Sequence, residues 1–148
     1  MLQEEIEMMT YYDVINELKN CALEEPNINY AGSKDIFELN ALPDIDYDVF
    51  YITPNQHRLF EDTIRFSLNL YFVTRWDNTD DNQLIIHSNG IIKLLNIINR
   101  FNERFPEVGL SFPGTVTTFY QKFKDMCAGV YVTLEFVLPN ILGCEHYE

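Results

Sequence analysis

The chain has 148 residues, 47% of them hydrophobic and 14% aromatic, and its 10 Lys and Arg stand against 23 Asp and Glu for a formal net charge of −13. That length suits one domain with a sizeable core, and that charge excludes ordinary binding to a nucleic-acid backbone, which needs clustered basic side chains. No apolar run reaches the length of a membrane span, and the start MLQEEIEMMT lacks the basic-then-apolar pattern of a signal peptide, so a cytoplasmic chain is expected.

Thr10 to about Ala22 reads as a first helix, with Thr10 as N-cap, Asp13 placed for a capping box, and Tyr11, Val14, Ile15, Leu18 and Ala22 as its apolar stripe. The acidic residues 1–9 before it are expected to form an arm, and Pro26 closes the segment. Asp35–Leu39 is a short strand candidate, and Tyr47–Thr53 reads as the next strand, ended by Pro54-Asn55. After a connection around Gln56 to Leu59 comes Phe60–Trp76, the longest alternating run. Ile64, Phe66, Leu68, Leu70 and Phe72 fall on one face; Thr63, Arg65, Ser67, Asn69, Tyr71, Val73 and Arg75 fall on the other, toward water or a partner.

The acidic loop Asp77–Asp81 offers caps for a long helix over Asn82–Arg104, with Leu84, Ile91, Leu94, Leu95, Ile98, Phe101 and Phe105 as its apolar face. Gly90 inside that helix costs about 1 kcal/mol relative to Ala, so the helix bends there or something packs against its backbone. Pro106–Gly114 reads as a loop or irregular strand and Thr115–Phe123 as a strand. Val130–Leu138 matches the central run in length and alternation, and 141–148 forms a tail. The fold class expected is α+β, one domain over 1–148, with an antiparallel sheet covered on one face by the long helix and the N-terminal helix.

Candidates for chemistry are sparse. His57, His87 and His146 are scattered without metal-ligand spacing, and His87 falls beside the apolar stripe of the long helix as a boundary histidine. Cys21, Cys127 and Cys144 are odd in number and widely spaced, which fits reduced, buried thiols. Asp77, Asp80 and Asp81 put oxygen ligands close together but lack the spacing and glycine of a calcium loop, which leaves helix capping. No phosphate-binding glycine loop occurs, so no catalytic, cofactor or metal residue is assigned and the chain does not read as an enzyme. The outward sheet face, with Arg65, Asn69, Tyr71, Arg75, Tyr131 and Glu135, suits a protein contact; its simpler reading is a solvated face with Arg65 or Arg75 paired to Glu135. Trp76 at the strand end is a further contact candidate.

Four passages resemble one family: Asp46-Tyr-Asp-Val-Phe-Tyr-Ile52, the alternating strand Thr63–Phe72, the acidic loop and helix Asp77–Arg104, and Phe119-Tyr-Gln-Lys-Phe-Lys-Asp-Met-Cys-Ala-Gly129 before the closing strand, followed by Pro139-Asn140 and Cys144. From Ile36 to Cys144 the chain is similar to the small α+β structural proteins of tailed phages of the tail-terminator, tail-completion and neck-ring type, as in phages infecting Bacteroidetes and the crAss-like group. The resemblance is one of element order and does not include a catalytic signature. It implies a tail-terminator-like fold and a virion protein, made in the host cytoplasm, that forms a six- or twelve-fold ring at the head-to-tail junction. Such a ring docks on the portal or on other neck and tail proteins and lets viral DNA pass through its lumen without specific binding, with no cofactor and no membrane. Subunit contacts are then expected at Arg65, Tyr71, Arg75, Trp76, Asp77, Asp80, Asp81, Tyr131 and Glu135. The rival is an acidic DNA mimic that occupies a nucleic-acid enzyme, against which the acids are dispersed among turns and strand edges.

Overall fold

Thr10 caps the first helix as the sequence implies: its hydroxyl accepts the amide N–H of Asp13, and its own amide donates to the Asp13 carboxylate, a complete capping box. The computed structural model describes residues 9–33, 48–75, 80–120 and 127–139. The expected strand Asp35–Leu39, residues 1–8 of the arm, the tail, Trp76, Asp77, Cys144 and His146 lie outside the described residues. Helix α1 runs Tyr11–Leu23 and buries Val14, Leu18, Cys21 and Ala22. Among the described residues five strands follow, β1 Tyr30–Ser33, β2 Val49–Leu59, β3 Thr63–Arg75, β4 Gly109–Tyr120 and β5 Cys127–Pro139, with helix α2 Asp80–Arg104 between β3 and β4.

The described strands form one sheet in the order β1-β2-β3-β5-β4. The α+β class holds, but the sheet is mixed: β1 pairs parallel with β2, Tyr30 opposite Val49. A parallel pair needs a connection of a dozen residues or more, and the stretch from Ser33 to Val49 has that length. β3 is central, as the alternation implied. It pairs with β5 along its whole length, from Thr63 opposite Pro139 to Arg75 opposite Cys127. Because β3 and β4 are both antiparallel to β5, they run parallel to each other. Helix α2 is therefore the crossover of a split β-α-β unit, with β5 filling the slot between its strands.

β2 runs past its expected end, and before Thr115 β4 takes the irregular-strand alternative of the sequence reading. β2 continues through Pro54 to Leu59, and β4 begins at Gly109 and passes Pro113. Each proline coincides with a register shift, between Pro54 and His57 and between Ser111 and Thr115. A bulge absorbs the missing N–H, so the proline interrupts the ladder without ending the strand.

Both described helices lie on one sheet face. Phe66, Leu68, Leu70 and Phe72 of β3 and Val130, Val132, Leu134, Phe136 and Leu138 of β5 form the core there with α1 and α2. Phe66 stacks on Phe136 at 5.9 Å between ring centroids, Phe101 meets Phe136 edge-on at 5.9 Å, and Tyr11 meets Phe66 edge-on at 5.0 Å. The helices are tied together by charge. Arg100 donates to Glu25 at 3.1 Å and to the Cys21 carbonyl at 3.0 Å, Asn96 donates to Glu25 at 3.0 Å, Lys93 donates to the Pro26 carbonyl at 2.8 Å, and Arg104 pairs with Glu24. Arg104 holds the Glu24 carboxyl below its ordinary range through that hydrogen bond. The cations of α2 thus sit at the carbonyl end of α1, where the helix dipole favours them.

The apolar stripe of α2 keeps the expected Leu94, Ile98 and Phe101, with Ile91 and Phe105 packed beside them, but is rotated toward Ile86 and Ile97. Ile86, Leu94, Ile97, Ile98 and Phe101 are buried, whereas Leu84 and Leu95 are 69% and 50% exposed. Gly90 sets the rotation: a Cβ there would stand 2.8 Å from Cδ2 of Phe72 and 3.0 Å from Cγ2 of Val130, so the sheet packs directly on the helix backbone. Gly90→Ala should therefore destabilise the protein by about 1–3 kcal/mol, although Ala is the better helix former by about 1 kcal/mol. Chemical denaturation of the two proteins measures the difference, and a more stable alanine variant would mean that the helix does not lie this close.

Candidate interaction surfaces

The sheet face away from the helices divides into two regions. Across its middle, Tyr51, Tyr71 and Tyr131 stand directly opposite one another on β2, β3 and β5. Tyr71 lies 4.7 Å from Tyr131 and 6.2 Å from Phe119 between ring centroids. Val49, Tyr51, Tyr71, Val73 and Cys127 are buried there as a second cluster, with Tyr30, Phe119 and Tyr131 packed against it. Burial pushes the Tyr71 phenol above its ordinary range. This corrects the assignment of Tyr71 and Val73 to a face open to water or a partner: Tyr71 is 6% exposed and Val73 fully buried. A strand buried on both faces reads as alternating when its second core is built from tyrosines, which a hydropathy pattern counts as polar.

Toward the β2–β3 turn the same face is polar. Arg58 Nη2 donates to Glu135 Oε2 at 3.0 Å, and Arg65 Nη1 stands 3.9 Å from Glu135 Oε1. Both guanidiniums lie over the Phe60 ring, at 5.7 and 4.9 Å from its centroid. The Nε of Arg65 is buried and unpartnered. One row inward, the Thr133 hydroxyl donates to Asn69 Oδ1 at 2.7 Å. Arg58 was not among the expected contacts, because Gln56–Leu59 was read as a connection and not as strand.

The structure thus brings together Arg65 with Glu135, and Tyr71 with Tyr131. Arg75 ends β3 ten residues from Arg65, roughly 33 Å away by the rise of a strand. Asp80 and Asp81 open α2, two residues earlier than expected. Arg65 and Arg75 therefore do not share one patch. His87 occupies the boundary expected of it, half-buried with Nε2 3.1 Å from the Phe119 carbonyl. Cys21 and Cys127 are free and buried. Among the described residues no group of three or more His, Cys, Asp or Glu stands where it could hold a metal ion, and no helix is long and apolar enough to cross a membrane.

The surface that the sequence reading missed is the outer side of α2 with β4. Leu84, Ile85, Ile92 and Leu95 on α2 and Val116 on β4 are each at least 50% exposed. Between them runs a shallow apolar groove lined by Ile91, Leu94, Leu95, Ile98, Val116 and Val132. From Asn82 to Asn99 the only Lys, Arg, Asp or Glu is Lys93, whose ammonium bonds Pro26, and Gly109–Tyr120 contains none. A solvated helix face carries charged side chains, whereas the centre of a protein interface is depleted of them. The signal was present in the doublets Ile85-Ile86, Ile91-Ile92, Leu94-Leu95 and Ile97-Ile98, whose apolar arc is wider than one sheet can cover.

Comparison with known proteins adds no family: no protein-family model matches the chain, and no curated protein matches it.

The two sides of α2 should respond oppositely to the same change. Ile92→Ser should alter stability by no more than about 0.5 kcal/mol, while Ile97→Ser, which opens a cavity and buries a hydroxyl, should cost about 3–5 kcal/mol. Thermal or urea unfolding of both variants checks the orientation, and equal losses would contradict it.

Proposed function

We propose that this chain is a structural assembly subunit, and that its assembly is the ring at the head-to-tail junction of a tailed phage, where it adapts portal to tail. The carrying observation is the broad, apolar and nearly charge-free surface of α2 and β4 on a chain of net charge −13. Monomeric soluble proteins seldom leave such a surface in water, and a protein that packs against others has use for it. The phage assignment is supported by the sequence resemblance, and the polar end of the sheet, with Arg58, Arg65 and Glu135, offers a second and chemically different patch of the kind a ring contact needs. Around a lumen, the surplus of carboxylates would repel the DNA backbone and let it slide. The role is structural and not catalytic, and the sites of action are the virion and, before assembly, the host cytoplasm.

The acidic-mimic alternative draws less support. Glu24 and Glu25 are held by Arg104 and Arg100, and Glu135 by Arg58, so these carboxylates are not displayed as a phosphate-like row.

Mass spectrometry of purified virions tests the assignment. The chain should be a stoichiometric component, in copies that are a multiple of six if the ring is six- or twelve-fold. Its absence from virions, with recovery in complex with a nucleic-acid enzyme instead, would favour the mimic.

A further inference from the structure

β4 is an edge strand among the described residues: β5 pairs with one side of it, and no described strand pairs with the other. Edge strands of soluble monomers are protected by charged side chains, prolines or bulges. Here Pro113 and the register shift protect only the half before Thr115. The half Thr115–Tyr120, Thr-Val-Thr-Thr-Phe-Tyr, has neither a charge nor a proline, and Thr115, Val116 and Thr118 are exposed. Its helix-facing side is also unroofed. Val116 stands opposite Val132, whose side chain belongs to the core under α2, yet Val116 itself is 50% exposed beside Leu95. Helix α2 therefore stops short of covering the last strand.

From these observations we infer that β4 pairs antiparallel with β4 of a second copy of this chain about a two-fold axis near Thr117, joining the two sheets edge to edge. Charge selects the occupant. Two chains of net charge −13 repel, and the cost is least where neither side of the contact brings a carboxylate. The outer side of α2 with β4 meets that condition, and it meets it on both sides of the seam only when it faces itself, which is an isologous contact. Centring the contact on the charge-free and proline-free half Thr115–Tyr120 then sets the register. A two-fold axis normal to the sheet keeps both α2 helices on one side, so Thr117 lies opposite its counterpart and Val116 lies opposite Thr118 of the other copy. Strand spacing puts the two β5 strands about 14 Å apart, wider than the 8–10 Å of directly packed helices, and Leu95 and Leu84 reach into that gap from both sides.

This pairing rests on the self-association half of the proposed function and not on its virion half. A two-fold contact closes after two chains, so a ring would use it between layers and a different patch within each layer.

The test uses the full chain. Sedimentation velocity should show a dimer or a multiple of it. Val116→Lys and Leu95→Lys, both at exposed positions, should weaken association at least tenfold while leaving the circular dichroism and unfolding midpoint unchanged. In a Cys144→Ser background, Thr117→Cys should form an intermolecular disulfide between the two copies of residue 117 on mild oxidation, since directly opposed Cα atoms in an antiparallel pair are within disulfide reach, while Ser67→Cys, on the same sheet face but on the central strand β3, should not. A monomer at about 100 μM, association indifferent to both lysines, or failure of residue 117 to cross-link would each overturn the inference. Absence of the chain from virions would leave it standing, so the two readings fail separately.

Discussion

The ladder between β3 and β5 is the constraint on which the rest of the fold depends. It runs without a register shift from Thr63–Pro139 to Arg75–Cys127, and so fixes which side chains of both strands face the helices and which face away. A slip of one residue would turn Phe66, Leu68, Leu70 and Phe72 out of the core and bring Arg65, Ser67 and Asn69 into it. Because β5 fills the slot between β3 and β4, helix α2 must cross over β5 to connect them. Gly90 permits that crossing at close range, with Phe72 and Val130 against the helix backbone. Gly129, on the same ladder, has no room for a side chain either: a Cβ there would lie 1.9 Å from the Phe72 carbonyl oxygen.

Much of this was legible in the residues. The capping box at Thr10 and Asp13 is a local pattern, and local patterns survive folding. The alternation in Phe60–Trp76 and its twin in Val130–Leu138 carried the central position of β3 and its pairing with β5. What misled was chemistry that only tertiary context resolves. Pro54 looked like a strand end because a proline removes a ladder donor, yet it was absorbed by a bulge. The parallel arrangement of β1 and β2 left no trace in either strand, since direction depends on where the intervening chain returns.

The candidate site was less legible than the fold, for a physical reason. Arg65, Tyr71, Tyr131 and Glu135 were correctly placed on the face away from the helices, but the same alternation describes a tyrosine-built second core and a solvated face equally well. Burial separates them: Tyr71 is enclosed, while Arg65 lies at the polar end with Arg58 and Phe60. The outer side of α2 was hidden by the opposite problem. Its apolar arc was too wide: the expected stripe shares Leu94, Ile98 and Phe101 with the true one, but Leu84 and Leu95 were as periodic as the buried Ile86 and Ile97. Exposed leucines and isoleucines on a strongly acidic chain are what remains when the sheet has taken the face it can cover.

Charge and apolar surface therefore oppose each other in any assembly of this protein, and their balance depends on salt. Sedimentation of the full chain at ionic strengths of about 0.01 M and about 1 M, where the screening length falls from about 30 Å to about 3 Å, separates the two contributions. If copies meet through the charge-free side of α2 and β4, association should strengthen as salt rises, because screening removes repulsion and leaves the apolar contact intact. Association that is strongest at low salt and dissolves at high salt would place the contact on ion pairs such as those of Arg58 and Arg65, and would contradict the account.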